Sequence, residues 1–239
     1  MSKWYGWEGI NRLISGNGTD YCIGFQTTIN RAGEFINRIR LTAGSHRETV
    51  LFRLFCRDAG FTAPETAIVS WADRLLLPEV SVDIDILAEL IVQDRCNPQD
   101  YSKVMLSEGA NLGVLVPEVG QPDTYGHRKK ANVAEFLAEQ LTQHSPRIRF
   151  LPMDLTYFPR SGEPGVYDKH LAIFYASLVM SLVESGTHAV MAAHRDGAFI
   201  STDIPGMDLA ARHVDPAEYH STHYRPRFEH ITGPYEPQQ

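Results

Sequence analysis

The sequence predicts an α/β protein in which a parallel sheet is covered by helices on both faces. Short apolar runs of strand length alternate with longer segments whose apolar residues recur every three or four positions. This alternation is typical of repeated strand–helix–strand units, which form parallel sheets. The predicted strands are residues 50–56, 72–79, 103–106, 150–157 and 187–192.

The segments between these runs predict the helices. The first predicted helix covers residues 21–46 and has an apolar face made by Phe25, Ile29, Ala32, Phe35, Ile36 and Ile39. Further helices are predicted at residues 7–14, 61–70, 82–94, 133–144, 166–185 and 216–220. The polar stretch 111–130 predicts a mobile loop, and Asp196-Gly197 predicts a hairpin turn.

The composition is that of an ordinary soluble globular protein. The 239 residues are 43% hydrophobic and 21% charged, which suits one large α/β domain or two small ones. A net charge of −7 without a long basic run argues against general nucleic-acid binding. Three cysteines without CxxC spacing favour free thiols in a reducing cytoplasm. No signal peptide and no membrane span are predicted.

The stretch DLTYFPRSGEPGVYDK at residues 154–169 contains the first candidate site. An apolar run ends near Tyr157 and Arg160, a glycine- and proline-containing loop follows, and a helix then begins. In open α/β sheets, ligands bind at the carboxyl ends of the strands. An arginine beside loop N–H groups and a helix N-terminus suits an anion such as a phosphate.

Three predicted strands end in a loop with a charged residue, namely Arg57, Glu108 and Arg160. Parallel strands place these ends at one edge of the sheet, so the three side chains can surround one pocket. Two guanidiniums suit a phosphate and a carboxylate suits sugar hydroxyls, which together predict a sugar-phosphate site. The alternative for each residue is a solvated side chain or a surface ion pair, and taken singly that is the commoner case.

Other polar residues predict no further site. Arg53 is the one charged residue inside the apolar run 50–56, and Asp154, Glu163 and Asp168 are interpreted as loop or cap carboxylates. His220 and His223 have HxxH spacing without a third ligand, which favours a solvated tail over a metal site. No GxSxG motif and no Walker-type loop is present, so no catalytic or metal-binding residue is predicted.

Six stretches, in order along the chain, match the motifs of a known family. They are GTDYCIGF at 18–25, CRDAG at 56–60, DRLLLPEV at 73–80, YSKVMLSEGA at 101–110, LTYFPRSGEP at 155–164 and YRPRF at 224–228. These stretches resemble the 6-phosphofructokinases, especially the bacterial ATP- and pyrophosphate-dependent members. The resemblance implies a three-layer αβα, Rossmann-like phosphofructokinase fold.

The resemblance also implies which residues contact substrate. The family's fructose 6-phosphate contacts fall on the residues Phe55, Cys56, Arg57, Glu108, Tyr157 and Arg160. Arginine and tyrosine would hold the 6-phosphate, and Glu108 would bind sugar hydroxyls. Where the family has Met-Gly, this chain has Phe55-Cys56. A family arginine is replaced by Glu48, and Arg47, one position away, is the alternative for its role.

One part of the family pattern is missing from this sequence. The Gly-Gly-Asp-Gly phosphate loop and the Thr-Ile-Asp-Asn-Asp segment with the catalytic base are not found. The first (donor) domain is therefore expected to be largely missing, with residues 1–20 as its remnant. Residues 21–239 are expected to form the fructose 6-phosphate-binding domain with a C-terminal tail.

The resemblance implies a function and leaves an alternative open. The implied reaction is phosphorylation of fructose 6-phosphate to fructose 1,6-bisphosphate in glycolysis, with Mg²⁺ and either ATP or pyrophosphate. The alternative is an inactive sugar-phosphate-binding homologue or a partner subunit, because the donor loop and catalytic aspartate are missing. A cytoplasmic homo-oligomer, either dimer or tetramer, that binds neither nucleic acid nor membrane is expected.

Overall fold

The computed structural model describes residues 18–55, 61–96, 100–119, 129–204, 213–216 and 224. The predicted helix 7–14, the site residues Cys56 and Arg57, the HxxH pair and most of the predicted helix 216–220 lie outside the described residues.

The strands within the described residues form one parallel sheet and two antiparallel pairs. Their bounds are β1 Glu48–Leu54, β2 Arg74–Leu76, β3 Ser102–Ser107, β4 Glu118–Val119, β5 Lys129–Lys130, β6 Arg149–Leu155, β7 Val190–Arg195 and β8 Ala198–Asp203. Four of them form the parallel sheet in the order β2-β3-β1-β6. In this register Leu54 at the end of β1 lies beside Ser107 of β3 and Leu155 of β6. The carboxyl ends of the three strands therefore meet at one edge.

In the described ranges, five α-helices and one short 3₁₀-helix connect the strands. Their bounds are α1 Phe25–His46, α2 Thr62–Val69, α3 Ile84–Arg95, α4 Val133–His144, the 3₁₀-helix Phe158–Arg160 and α5 Val166–Glu184. Asp83 and Asn132 cap α3 and α4, since each side chain accepts a hydrogen bond from backbone N–H groups of the first turn.

Two hydrophobic clusters, one on each face of the sheet, make up the core. Alternate strand residues point to opposite faces, because side chains in a strand alternate with period two. One cluster joins the strands to α3 and α4 through Leu51, Val104, Leu106, Leu87, Ile91, Leu137 and Leu141. The other joins them to α1 and α2 through Val50, Phe52, Met105, Ala32, Ile36, Ala63 and Ala67. The predicted parallel sheet with helices on both faces is confirmed.

Several element boundaries differ from the predictions. The predicted strand 150–157 ends at Leu155, because the chain turns at Tyr157 into the 3₁₀-helix, where Pro159 fits the first turn. Within the predicted loop 111–130, β4 and β5 form a short antiparallel pair. The predicted first helix begins at Phe25 rather than at residue 21, directly after Gly24, whose φ is 95°.

The second half of the described chain adds α5 and the β7–β8 hairpin. The predicted turn at Asp196-Gly197 is confirmed, and both residues have positive φ, which suits a two-residue hairpin loop. Asp168 in the first turn of α5 is 1% exposed and accepts hydrogen bonds from Gly24 N and Thr27 N, both at 2.8 Å. Asp168 thus caps α1 rather than its own helix.

Among the described residues, one helix has the length and apolar composition of a membrane span, and it is α5. Only 11% of its most apolar window is buried. This makes α5 unlike the other helices, each of which buries one face against the sheet or its neighbours.

Candidate functional site

Arg53 joins the carboxyl ends of three adjacent strands. It lies on β1, the central strand of the three, and its side chain is 12% exposed. One terminal nitrogen donates to Glu108 Oε1 at 2.8 Å, directly after β3, and the other donates to Asp154 Oδ2 at 2.6 Å on β6. One guanidinium therefore pairs with two carboxylates at this edge.

Asp154 is held in its ionised form. Burial acts to raise its pKa, but hydrogen bonds from Thr156 and the charge of Arg53 outweigh burial, and the pKa of Asp154 is lowered from its ordinary value of 3.8. Thr156 N donates to Asp154 Oδ1 at 2.8 Å. The carboxylate thus has partners on both oxygens.

This lowered pKa predicts a loss of stability in acid. A carboxyl group whose pKa is lower in the folded state stabilises the fold above its unfolded pKa, and the contribution is lost as pH falls through the folded value. We expect the free energy of unfolding to fall with decreasing pH below about 4, with a smaller slope in Asp154→Asn. Urea unfolding at several pH values between 2.5 and 5 checks this. Equal slopes for the two proteins would contradict it.

Arg160 lies at the same edge, between two aromatic rings. Its guanidinium carbon is 3.8 Å from the centre of the Phe55 ring and 4.9 Å from that of the Tyr157 ring. Its Nε donates to the carbonyl of Thr156 at 2.6 Å. This combination of stacking and a fixed hydrogen bond orients the planar guanidinium.

The surroundings of Arg160 affect its pKa in opposite directions. Burial lowers the pKa of Arg160, while the charges of Tyr157, Glu108 and Asp154 act to raise it, and the net shift is downward. Arginine remains a cation at neutral pH in spite of such shifts. The edge therefore holds two guanidiniums and two carboxylates, and Tyr157 beside them is 79% exposed.

The loop that follows Arg160 is attached to α1. Arg31 NH2 donates to the carbonyl of Glu163, and Gly165 N donates to Thr27 Oγ1 at 2.8 Å. Gly162 has φ of 82°, and a Cβ added there would lie 2.5 Å from the Arg31 guanidinium. The positive φ favours glycine at this position, whereas the Arg31 side chain could shift to make room for a Cβ.

Four of the predicted site residues are described, and the structure brings them to one edge. Arg160 stacks on Phe55 and Tyr157, and the charge of Glu108 acts to raise the pKa of Arg160. Sequence reasoning missed Arg53 as a site residue and treated Asp154 as a loop or cap carboxylate. The available signal was the single arginine inside an otherwise apolar strand.

The described residues do not fit a Mg²⁺ site. Within the described ranges, no group of three or more His, Cys, Asp or Glu side chains could hold a metal ion. The two carboxylates at the strand edge are both paired with Arg53, whose positive charge occupies the space between them. A divalent cation there would first have to displace that arginine.

Comparison with known proteins places this chain in a known class of α/β proteins. The family model described as Phosphofructokinase matches residues 16–183. The chain therefore belongs to the phosphofructokinase family, and the resemblance of its sequence motifs to that family is confirmed.

The relatives that are similar to this chain include enzymes named for pyrophosphate and enzymes named for ATP. It is 28% identical over 206 residues to pyrophosphate–fructose 6-phosphate 1-phosphotransferase of Dictyoglomus thermophilum, covering 85% of this chain and 59% of the relative. It is 32% identical to the enzyme of the same name from Thermoproteus tenax, with coverage of 79% and 55%. It is 28% identical to ATP-dependent 6-phosphofructokinase of Thermosynechococcus vestitus, with coverage of 84% and 53%. The chain thus spans less than two thirds of the length of these relatives.

Solved structures show the same fold. The pyrophosphate-dependent phosphofructokinase of Marinobacter aquaeolei has a TM-score of 0.70 at 16% identity, covering 87% of this chain and 53% of that protein. Phosphofructokinase from Saccharomyces cerevisiae has a TM-score of 0.62 at 22% identity, covering 81% and 24%. The predicted Rossmann-like phosphofructokinase fold is confirmed.

Proposed function

We propose that this chain binds fructose 6-phosphate at the edge formed by β3, β1 and β6, as the acceptor site of a phosphofructokinase. The observation that supports this most strongly is the oriented guanidinium of Arg160 beside an exposed tyrosine ring and an ordered carboxylate. The names of the relatives supply the substrate, since two of them are fructose 6-phosphate 1-phosphotransferases.

Each site residue that the structure describes has a role in this proposal. Arg160 and Tyr157 bind the 6-phosphate, because a guanidinium forms charge-assisted hydrogen bonds with phosphate oxygens and a phenol adds one donor. Glu108 accepts hydrogen bonds from sugar hydroxyls while Arg53 holds it in place. Phe55 supports Arg160 from behind. Cys56 and Arg57, also assigned to the site, continue the chain from the end of β1.

The full reaction of the class is phosphoryl transfer to the sugar's 1-hydroxyl group. The hydroxyl oxygen forms a bond to the transferred phosphorus, the bond from phosphorus to ADP or phosphate breaks, and the hydroxyl proton passes to a base. In this proposal residues 21–239 supply the acceptor half of the fold, and residues 1–20 are a remnant of the donor half. ATP or pyrophosphate with Mg²⁺ would be the donor, and the reaction would take place in the cytoplasm.

One specific observation favours the alternative that this chain binds without turnover. Glu108 and Asp154 are the two carboxylates whose charges act on Arg160, and both are paired with Arg53. A carboxylate that shares a guanidinium and has a lowered pKa, as Asp154 has, is a weak base. The chain would then be an inactive sugar-phosphate-binding homologue or a partner subunit.

Calorimetric titration with fructose 6-phosphate, together with a phosphoryl-transfer assay, tests both proposals. Binding at submillimolar concentration is expected, and no heat of binding at about 10 mM ligand would refute the acceptor site. Production of fructose 1,6-bisphosphate from either donor in the presence of Mg²⁺ would refute the inactive alternative. Binding with no product above a blank without protein would refute phosphoryl transfer by this chain alone.

Replacing Arg160 with alanine is expected to weaken fructose 6-phosphate binding by about 2 kcal/mol, or roughly thirtyfold in Kd. The loss arises because the phosphate no longer has its charged partner. Isothermal titration of the variant measures it. Arg147→Ala is the matched control, since it also removes one positive charge but lies in the exposed turn before β6, at the opposite edge. A change in Kd below about threefold for Arg160→Ala would contradict its role.

A further inference from the structure

Asp154 is bonded to two different parts of the strand-end site through its two carboxylate oxygens. It lies on β6, one residue before the strand ends at Leu155. Its Oδ2 accepts a hydrogen bond from Arg53 NH1 at 2.6 Å, and its Oδ1 accepts one from Thr156 N at 2.8 Å. Each of these two partners is bonded in turn to a residue that binds substrate in the proposed function.

The first connection runs through Arg53 to Glu108. Arg53 NH2 donates to Glu108 Oε1 at 2.8 Å while NH1 donates to Asp154. The guanidinium is a rigid planar fork, so fixing one terminal nitrogen limits where the other can lie. The Arg53 side chain is 12% exposed, and the carboxylates of Glu108 and Asp154 are more open to solvent. Asp154 therefore helps to decide where Arg53 holds Glu108.

The second connection runs through the backbone of Thr156 to Arg160. Thr156 is 4% exposed, its N–H donates to Asp154, and its carbonyl accepts from Arg160 Nε at 2.6 Å. The bond to Asp154 thus fixes the backbone where the chain leaves β6 and turns into the 3₁₀-helix. Arg160 is oriented by this turn as well as by stacking on Phe55 and Tyr157.

Asp154 does not suit direct contact with a phosphate. An ionised carboxylate has only hydrogen-bond acceptors, and phosphate oxygens are acceptors that also carry negative charge. Both Asp154 oxygens already have donors in the protein. Any effect of Asp154 on ligand binding therefore acts through Arg53 and Thr156.

We propose that Asp154 is the positioning residue that joins the phosphate-binding and sugar-binding halves of the site. The inference rests on the proposed function, since it takes Arg160 as the phosphate ligand and Glu108 as the acceptor for sugar hydroxyls. One carboxylate holds both halves, so it fixes the separation between them. The site then selects a phosphorylated sugar whose phosphate and hydroxyl groups span that separation, whereas inorganic phosphate uses the Arg160 half alone.

Exchange of the Arg160 Nε proton with water, measured by NMR on the chain without ligand, tests the second connection. We expect exchange to be about fivefold faster or more in Asp154→Ala, because the Thr156 carbonyl loses its fixed position. Asp100→Ala is the matched control, since Asp100 also pairs with two arginines but precedes β3 at the opposite edge of the sheet. Equal exchange rates in Asp154→Ala and the unmodified chain would overturn this connection.

Calorimetric titration tests both connections. The Kd for fructose 6-phosphate should increase about tenfold or more in Asp154→Ala, and about threefold or more in Arg53→Lys, because an ammonium cannot hold two carboxylates as a planar fork does. The Kd for inorganic phosphate should increase in Asp154→Ala but not in Arg53→Lys. Asp100→Ala should leave both constants unchanged. A purely structural Asp154 would lower stability and leave both constants of the folded variant unchanged.

Asp154→Asn keeps the size of the side chain and decides the question if Asp154→Ala does not fold. Its amide has one acceptor oxygen for two donors, Arg53 NH1 and Thr156 N, so one connection must weaken. Either the Kd for fructose 6-phosphate or the Arg160 exchange rate should therefore increase, and no change in either would overturn the proposal. An unmodified chain that binds no fructose 6-phosphate would refute the acceptor site itself. Binding by the unmodified chain with an equal Kd in the Asp154 variants would overturn only the positioning role.

Discussion

Replacing Arg74 with methionine is expected to lower the free energy of unfolding by about 3–5 kcal/mol. Arg74 on β2 and Asp94 on α3 form a bidentate ion pair, with Nε to Oδ2 and NH2 to Oδ1 both at 2.6 Å. The two side chains are 3% and 4% exposed. Removing the arginine leaves a buried carboxylate without its guanidinium, which costs far more than the intact pair contributes. Urea unfolding measures the change.

A double variant separates the cost of the unpaired charge from the loss of packing. Arg74→Met with Asp94→Leu removes both charges, so it is expected to be more stable than Arg74→Met alone by at least about 2 kcal/mol. Lys169→Met is the control for an exposed pair, since Lys169 and Glu163 have side chains 46% and 79% exposed. Its effect should stay below about 1 kcal/mol. A double variant as unstable as Arg74→Met would show that packing dominates.

Asp168→Asn is expected to destabilise the fold by about 3 kcal/mol, which corresponds to a fall in Tm of roughly 6–12 °C. The Asp168 carboxylate accepts from Gly24 N, Thr27 N and Thr27 Oγ1. An asparagine keeps one acceptor oxygen, but its NH₂ group would face backbone N–H or hydroxyl donors. Those donors would then lose their acceptor. Differential scanning calorimetry measures the shift.

The control for this substitution is the same change at another helix cap. Asp83 caps α3 from an exposed position by accepting from Asp85 N and Ile86 N. Asparagine is as good an N-cap as aspartate there, so Asp83→Asn should change Tm by less than about 2 °C. Equal shifts for the two variants would mean that Asp168 contributes no more to stability than an ordinary exposed N-cap.

The layers of the fold could be predicted from the sequence because the spacing of apolar residues distinguishes helices from strands within each segment. Predicted helix 133–144 matches α4 at both ends, and the buried residues of β1 and β3 follow the predicted apolar runs. Boundaries were wrong where the backbone turns for a local reason, as at Gly24 with its positive φ and at Pro159 in the 3₁₀-helix.

The partners of the polar residues could not be predicted from local sequence. Arg53 interrupts an apolar strand visibly, but its pairing with Glu108 and Asp154 depends on β1 lying between β3 and β6, which the strand order decides. Asp168 was expected to act within its own segment, yet it caps a helix that begins about 140 residues earlier. Both contacts are set by topology, and periodicity contains no information about which strands become neighbours.

The position of Arg53 has a consequence for how ligand binding and folding are linked. Its two carboxylate partners lie 55 and 101 positions away along the chain, so the site is complete only after three distant strands have come into register. If this edge binds fructose 6-phosphate as proposed, a partly folded chain would have no affinity for it, and saturating ligand should raise the unfolding midpoint by mass action. Because the ligand would bind only the native state, its concentration would regulate how long the chain survives proteolysis as well as how much of it is occupied.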